Sequence, residues 1–187
     1  MQKIIELDNI CAGYGKKEVL HHINLTFEQG NIYTVIGPNG CGKSTLIKTL
    51  LQIISHTSGD IFISSRNIKT YKRNEFAKKI SYVPQAKKIP DISVLHMVLQ
   101  GRFTHLTYPK KYQKEDYEIA RKALDWVGLA ELENERVSYL SGGMQQNAYI
   151  AMALAQDTDV IVMDEPTTYL DISHQMQLME LVRTFKP

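Results

Sequence analysis

The chain has 187 residues, 43% of them hydrophobic and 22% charged, with a formal net charge of +2. This fits one globular domain with a sizeable core and room for a small subdomain. So even a balance gives no support to a nucleic-acid backbone or an anionic bilayer as the main partner. The two cysteines, Cys11 and Cys41, are too few and too isolated for a zinc site or a disulfide framework, which points to a reducing compartment. No apolar run approaches the roughly 20 residues needed to span a bilayer, and the opening MQKIIELDNI lacks the long apolar core of a signal peptide. A cytoplasmic chain is expected, reaching a membrane only through a partner.

In chain order, residues 3–10 alternate apolar and polar side chains, a strand pattern. Asn24–Phe27 reads as a second strand ending at Gly30, and Ile32–Ile36 as a compact third strand that stops at Gly37 and Pro38. From Lys43 the period turns helical, with Leu46, Ile47, Leu50 and Leu51 on one face. A turn at Ser58-Gly59-Asp60 precedes a short strand at Ile61–Ile63. Ser93–Gln100 and Lys114–Val127 are expected helices, the second amphipathic and stopped by Gly128, with a lysine-rich loop containing Pro109 between them. Gly143–Ala155 is expected to be a helix with a small-residue face, Val160–Met163 a buried parallel strand, and Ser173–Phe185 a last helix. Strands and helices alternate at both ends around a helical block, so the fold class is α/β with a helical subdomain.

Three segments carry chemistry. Gly37-Pro38-Asn39-Gly40-Cys41-Gly42-Lys43-Ser44 fits G-x-x-x-x-G-K-[ST] at every position, between an expected strand and an expected helix. Glycines let backbone N–H groups converge on phosphate oxygens, and the helix N-terminus adds a favourable dipole. Lys43 is placed to reach the β- and γ-phosphates, Ser44 to ligate Mg²⁺, and Thr45 to bond a nearer phosphate. The apolar run Val160–Met163 ends in Asp164 and Glu165, at a strand's carboxyl end where α/β sheets bind ligands. Asp164 is suited to hold Mg²⁺ through water, and Glu165 to polarise the water that attacks the γ-phosphate. Between the two lies Leu140-Ser141-Gly142-Gly143-Met144, a second anion cap at a helix N-terminus. One triphosphate hardly needs two such caps from one subunit, so the second is expected to close on the nucleotide of a partner copy.

With these segments the sequence resembles the ABC ATPase family over essentially the whole chain. Gly37–Thr45 looks like its Walker A loop and Asp164-Glu165 like its Walker B end. Tyr82-Val83-Pro84-Gln85 looks like its Q-loop, Leu140–Met144 like its signature and Tyr169-Leu170-Asp171 like its D-loop. Tyr14, in Gly13-Tyr14-Gly15, resembles the aromatic that stacks on adenine. The resemblance implies a P-loop NTPase core with an antiparallel β subdomain and an inserted helical subdomain. Residues of about 1–85 and 156–187 would form the core and β subdomain, and about 86–155 the helical subdomain with the signature. It implies ATP and Mg²⁺ as ligands. Gln85 would sense Mg²⁺ and the γ-phosphate, and Asp171 would lie at the nucleotide. A second ATPase subunit, most simply an identical one, and an integral membrane permease are the implied partners, holding the chain on the inner face of the membrane. The stretches 151–159 and 164–175, with Gly101-Arg102-Phe103, look like the ferric-siderophore branch of bacterial importers, which carries iron chelates, haem or cobalamin delivered by an external binding protein.

Two departures from the family pattern stand out. Met144-Gln145-Gln146-Asn147 replaces a glutamine and two cations on the helix expected to face the partner, so weaker contacts to the partner's ATP are expected. The family's switch histidine falls beyond Pro187 by this resemblance, and a longer chain is expected. His21, His22, His56, His96, His105 and His174 do not match it, and His174 is expected to be a surface feature. The alternative is a soluble ABC-type ATPase acting on DNA or ribosomes. The first usually carries a long coiled coil between P-loop and signature, where this chain has no sustained heptads. The second usually carries two such domains in tandem, where this chain has one P-loop and one signature.

Overall fold

Alternation of apolar and polar side chains along the first strands builds a sheet with one buried face, as the computed structural model describes for residues 2–85, 88–168 and 170–184. Strand β1 (Lys3–Tyr14) pairs antiparallel with β2 (Lys17–Glu28) and with β3 (His56–Ile63), and β3 with β4 (Arg66–Asn67), in the order β2-β1-β3-β4. Ile5, Leu7, Ile10, Ile61 and Ile63 are buried by this sheet. Helix α1 (Lys43–Leu50) belongs to the same unit, which ends at Phe76 within the short helix α2 (Arg73–Ala77).

The sequence places these strands correctly but too short. Residues 17–23 extend β2, and Ser58-Gly59-Asp60 lies inside β3. The bend expected there survives as a register shift, with Gly59 at φ 82°. Ile32–Ile36 does not form a strand. A strand exists through its ladder, and no described strand pairs with this segment, which leaves Ile32, Tyr33, Val35 and Ile36 exposed. Tyr33 is anchored edge-on to Phe27 at 5.0 Å and accepts a hydrogen bond from the Glu28 N–H.

The second unit begins at Ala77. Strands β5 (Ile80–Val83) and β6 (Val160–Met163) run parallel, with Ile80 opposite Val160 and Val83 opposite Met163. Parallel neighbours require a long crossover, and here it contains α3 (Val94–Leu99), a 3-10 segment (Gln100–His105), α4 (Lys114–Trp126) and α5 (Gly142–Ala155). Helix α6 (Ile172–Thr184) follows β6; the expected end of that helix at Phe185 lies outside the described residues, as do Ala86 and Tyr169. Strand β6 is half-buried rather than buried, because β5 is its one partner among the described residues.

Val94, Val98 and Leu99 of α3, Leu124 of α4 and Ile150 of α5 are fully buried in one cluster. Each contributes roughly 1.5–3 kcal/mol on burial. The small residues Ala148, Ala151 and Ala155 let neighbouring backbone approach α5 closely. Gly101 needs to be glycine for that reason, since a Cβ there would lie 2.2 Å from the Met152 carbonyl oxygen. The next residue, Arg102, is 6% exposed. Its guanidinium donates to Asp116 at 3.1 Å and to the Ala155 carbonyl at 2.9 Å, tying the start of α4 to the end of α5.

Arg102→Ala strands Asp116 in the interior without its cation. We expect a loss of about 3 kcal/mol in unfolding free energy, read from the denaturant midpoint; an unchanged midpoint would remove this pair from the account of the fold.

Candidate functional site

In the first unit the P-loop ends in a helix whose N-terminus is open. Gly42 caps α1 at φ 102°, a conformation that favours glycine, with no side-chain hydrogen bond to the first turn and no acidic residue in it. Gly40 likewise has φ 81°. The first-turn N–H groups have no partner within a helix, so they remain available to an anion, assisted by the helix dipole. Lys43 donates to the carbonyls of Gly37 at 2.8 Å and Pro38 at 3.0 Å. The ammonium is thereby held over the loop by two weak acceptors that phosphate oxygens can replace. Asn39 and Cys41 are exposed, Ser44 is half-buried, and Thr45 is buried at 6% exposure. Tyr14 ends β1 with half its surface exposed, as a stacking aromatic requires.

In the second unit, the β5–β6 register sets the chemistry. Asp164 N–H donates to the Val83 carbonyl at 3.0 Å, extending the parallel ladder one step beyond the strands. This brings Gln85 beside Glu165, and the Gln85 amide donates to the Glu165 carboxylate. Thr168 donates to the same oxygen at 3.1 Å. Glu165 has φ 46°, a left-handed backbone uncommon for a non-glycine residue and typical of functional turns. Asp164 is buried, and the Tyr82 hydroxyl lies 3.4 Å from its carboxylate. Burial, reinforced by the Asp164 charge, pushes the Tyr82 phenol above its ordinary range.

Ser141 caps α5, its hydroxyl oxygen accepting from the Met144 N–H at 3.3 Å. The helix that carries the glycine pair thus has a neutral cap and no acidic residue in its first turn. The residues that depart from the family pattern serve their own unit. Gln145 donates to the carbonyls of Leu140 at 3.0 Å and Val137 at 3.3 Å, and Asn147 to that of Val127 at 3.1 Å. Asp171 accepts from the N–H of His174 at 2.9 Å at the start of α6. Sequence reasoning missed Thr168 and left His174 a surface feature. Both sit three residues after a carboxylate, the spacing at which a turn returns a side chain to its partner.

A glycine-rich loop opening a helix, two adjacent carboxylates at the end of a parallel strand and a second glycine cap define a P-loop nucleotide-binding protein. The family model for ABC transporters matches residues 20–168, and the chain belongs to that ATP-binding family. It is 39% identical over 183 residues to a petrobactin import ATP-binding protein of Bacillus anthracis, covering 97% of this chain and 67% of the relative. It is 40% identical over 176 residues to the ferric enterobactin transport ATP-binding protein of Escherichia coli K12, covering 94% and 65%. The chain thus spans about two thirds of the length of these relatives. Among solved structures, an inward-facing ABC transporter assigned to the metal-chelate type superposes with a TM-score of 0.82 at 35% identity, covering 97% of this chain and 67% of that one. An ATP-binding cassette in its ADP conformation gives a TM-score of 0.89 at 25% identity, covering 100% and 78%. No helix among the described residues is long and apolar enough to cross a membrane.

Lys43→Ala removes the ammonium held over the loop while leaving the backbone donors in place. Equilibrium titration with a fluorescent ATP analogue is expected to show affinity falling by about 100-fold.

Proposed function

We propose that this chain is the ATP-binding and ATP-hydrolysing subunit that powers an ABC importer of ferric siderophore or a related iron, haem or cobalamin chelate. The carrying observation is the placement of Gln85 and Thr168 on the carboxylate of Glu165, directly after buried Asp164. This holds a carboxylate oxygen in place at the strand end, where an attacking water could be oriented. The names of the relatives support the cargo class, since they include petrobactin, siderophore and ferric enterobactin systems. A manganese transport relative at 39% identity favours a second reading in which the cargo is a bare metal cation.

The residues divide the work. Backbone N–H groups of Gly40 to Thr45 and the ammonium of Lys43 bind the triphosphate, and Tyr14 stacks on the base. Ser44, Gln85 and Asp164 offer a hydroxyl, an amide and a carboxylate oxygen, a hard and sparse donor set that suits Mg²⁺, which keeps waters and takes further ligands from phosphates. When bound, Mg²⁺ supplies charge neutralisation on the phosphates. Glu165 accepts the proton of the attacking water. Ser141, Gly142 and Gly143 cap the γ-phosphate held by a second copy, and Asp171 lies at the same interface. Closure of the two copies on ATP would drive a membrane permease, fed from outside by a binding protein, with the chain peripheral on the cytoplasmic face. The work comes from ATP binding the closed state more tightly than the open one.

The reading is tested with the permease reconstituted: turnover should rise with permease and cargo-loaded binding protein, and not with DNA or ribosomes. Glu165→Gln is expected to keep nucleotide affinity and to cut turnover by about 100-fold or more, leaving an ATP-stabilised dimer on size exclusion. Full turnover by that variant would overturn the assignment of Glu165.

A further inference from the structure

The contact between Asp171 and His174 is not used by any role assigned above. The Asp171 carboxylate accepts from the His174 backbone N–H at 2.9 Å and lies 2.8 and 2.9 Å from Nδ1 of the ring. A carboxylate only accepts, so Nδ1 carries a proton and the ring plane is set by the loop that precedes α6. The bonds from the backbone and side chain of His174 draw Asp171 below the ordinary carboxylate range. The far edge of the ring meets the signature segment. A Cβ built on Gly143 would lie 2.3 Å from Cδ2 and 2.8 Å from Nε2 of His174.

This contact accounts for glycine at that position. Gly143 is not among the residues with positive φ, so backbone conformation does not require it. It is buried, whereas Gly142 and Met144 on either side are exposed. A Cβ on Gly142 would meet nothing within 4 Å. The two glycines of the cap therefore differ: Gly142 faces open space and Gly143 faces an imidazole whose orientation Asp171 holds.

We infer that His174 is a positioning residue for the signature segment, a brace that joins the N-terminal turn of α5 to the loop after β6. Asp171 holds the ring, and the ring seats Gly143. That same loop begins with Asp164 and Glu165 at the end of β6. The brace therefore links the cap that serves one nucleotide to the carboxylates that serve another, and in this it rests on the two-copy arrangement proposed above. Displacing the ring would tilt the cap that Gly143 carries.

The test is a double-substitution cycle in the full-length protein with its permease, using Gly143→Ala, His174→Ala and the pair together. Gly143→Ala should lower kcat by about tenfold or more and His174→Ala by a few-fold, with the pair less impaired than Gly143→Ala alone because the added methyl occupies the space the ring vacates. His174→Asn, whose amide can still donate to Asp171, should recover most of the loss of His174→Ala. Affinity for a fluorescent ATP analogue should stay within about twofold in His174→Ala and His174→Asn, which leave the P-loop and the cap residues in place, a split that a general loss of folding would not produce. Should Gly143→Ala fold poorly, the same cycle is read in the thermal midpoint, where His174→Ala should restore it. Losses that multiply in the pair would overturn the brace. Absent permease-stimulated turnover in the wild type would instead overturn the transporter reading.

Discussion

The parallel pairing of β5 with β6 is the constraint from which the described chemistry of the second unit follows. Its register, Val83 opposite Met163, leaves Gln85 and Glu165 as neighbours just past the strand ends. Parallel strands cannot be joined by a hairpin, so the chain must leave after β5 and return before β6. That excursion is the helical block, and its last helix, α5, must end just ahead of β6. The segment Leu140–Met144 therefore starts the helix that feeds β6, the strand that ends at Asp164 and Glu165. The position of the second cap is a consequence of topology before it is a matter of side chains.

Much of this was legible in sequence because the signals were local. The P-loop spacing, the apolar run into Asp164-Glu165, the amphipathic period of α4 and the serine before two glycines each declare themselves within a dozen residues. What escaped depended on distant neighbours. Strand β5 reads Ile-Ser-Tyr-Val, too short and mixed for a period, and becomes a strand through β6. The Arg102–Asp116 pair spans fourteen residues and looks like two ordinary surface charges until Ala155 is seen to close over it. Ile32–Ile36 fails in the opposite direction. Its composition is that of a buried strand, but composition only states what a segment would bury, and the described residues supply no ladder for it.

The departures in the signature helix also have a structural explanation. Gln145 and Asn147 stand where the family pattern has cations, and their amides are committed to carbonyls of Leu140, Val137 and Val127. They brace the turn before α5 and the end of α4. Met144 keeps an exposed side chain without polar atoms suited to phosphate. On the proposed reading the cap is left to Ser141 and backbone N–H groups, so the orientation of the helix end would matter more than the side chains upon it, since a backbone grip cannot adjust by changing rotamers.

The longer helices divide by how their N-termini are finished. Helix α4 opens with a capping box between Gln113 and Asp116 and carries Glu115 as well, so carboxylates face its positive end. Helix α6 begins on Asp171, another carboxylate. By contrast, α1 has a bare glycine and α5 a neutral serine, and neither has an acidic residue in its first turn. A carboxylate at a helix N-terminus stabilises it by about 0.3–1 kcal/mol, so its omission at two helices gives up stability that the other two retain. The two left electropositive are those that carry the glycine-rich segments. An acidic residue there would repel a phosphate, so the omission of carboxylates at these two ends agrees with the anion sites proposed above, while Ser141 still satisfies one backbone donor of α5.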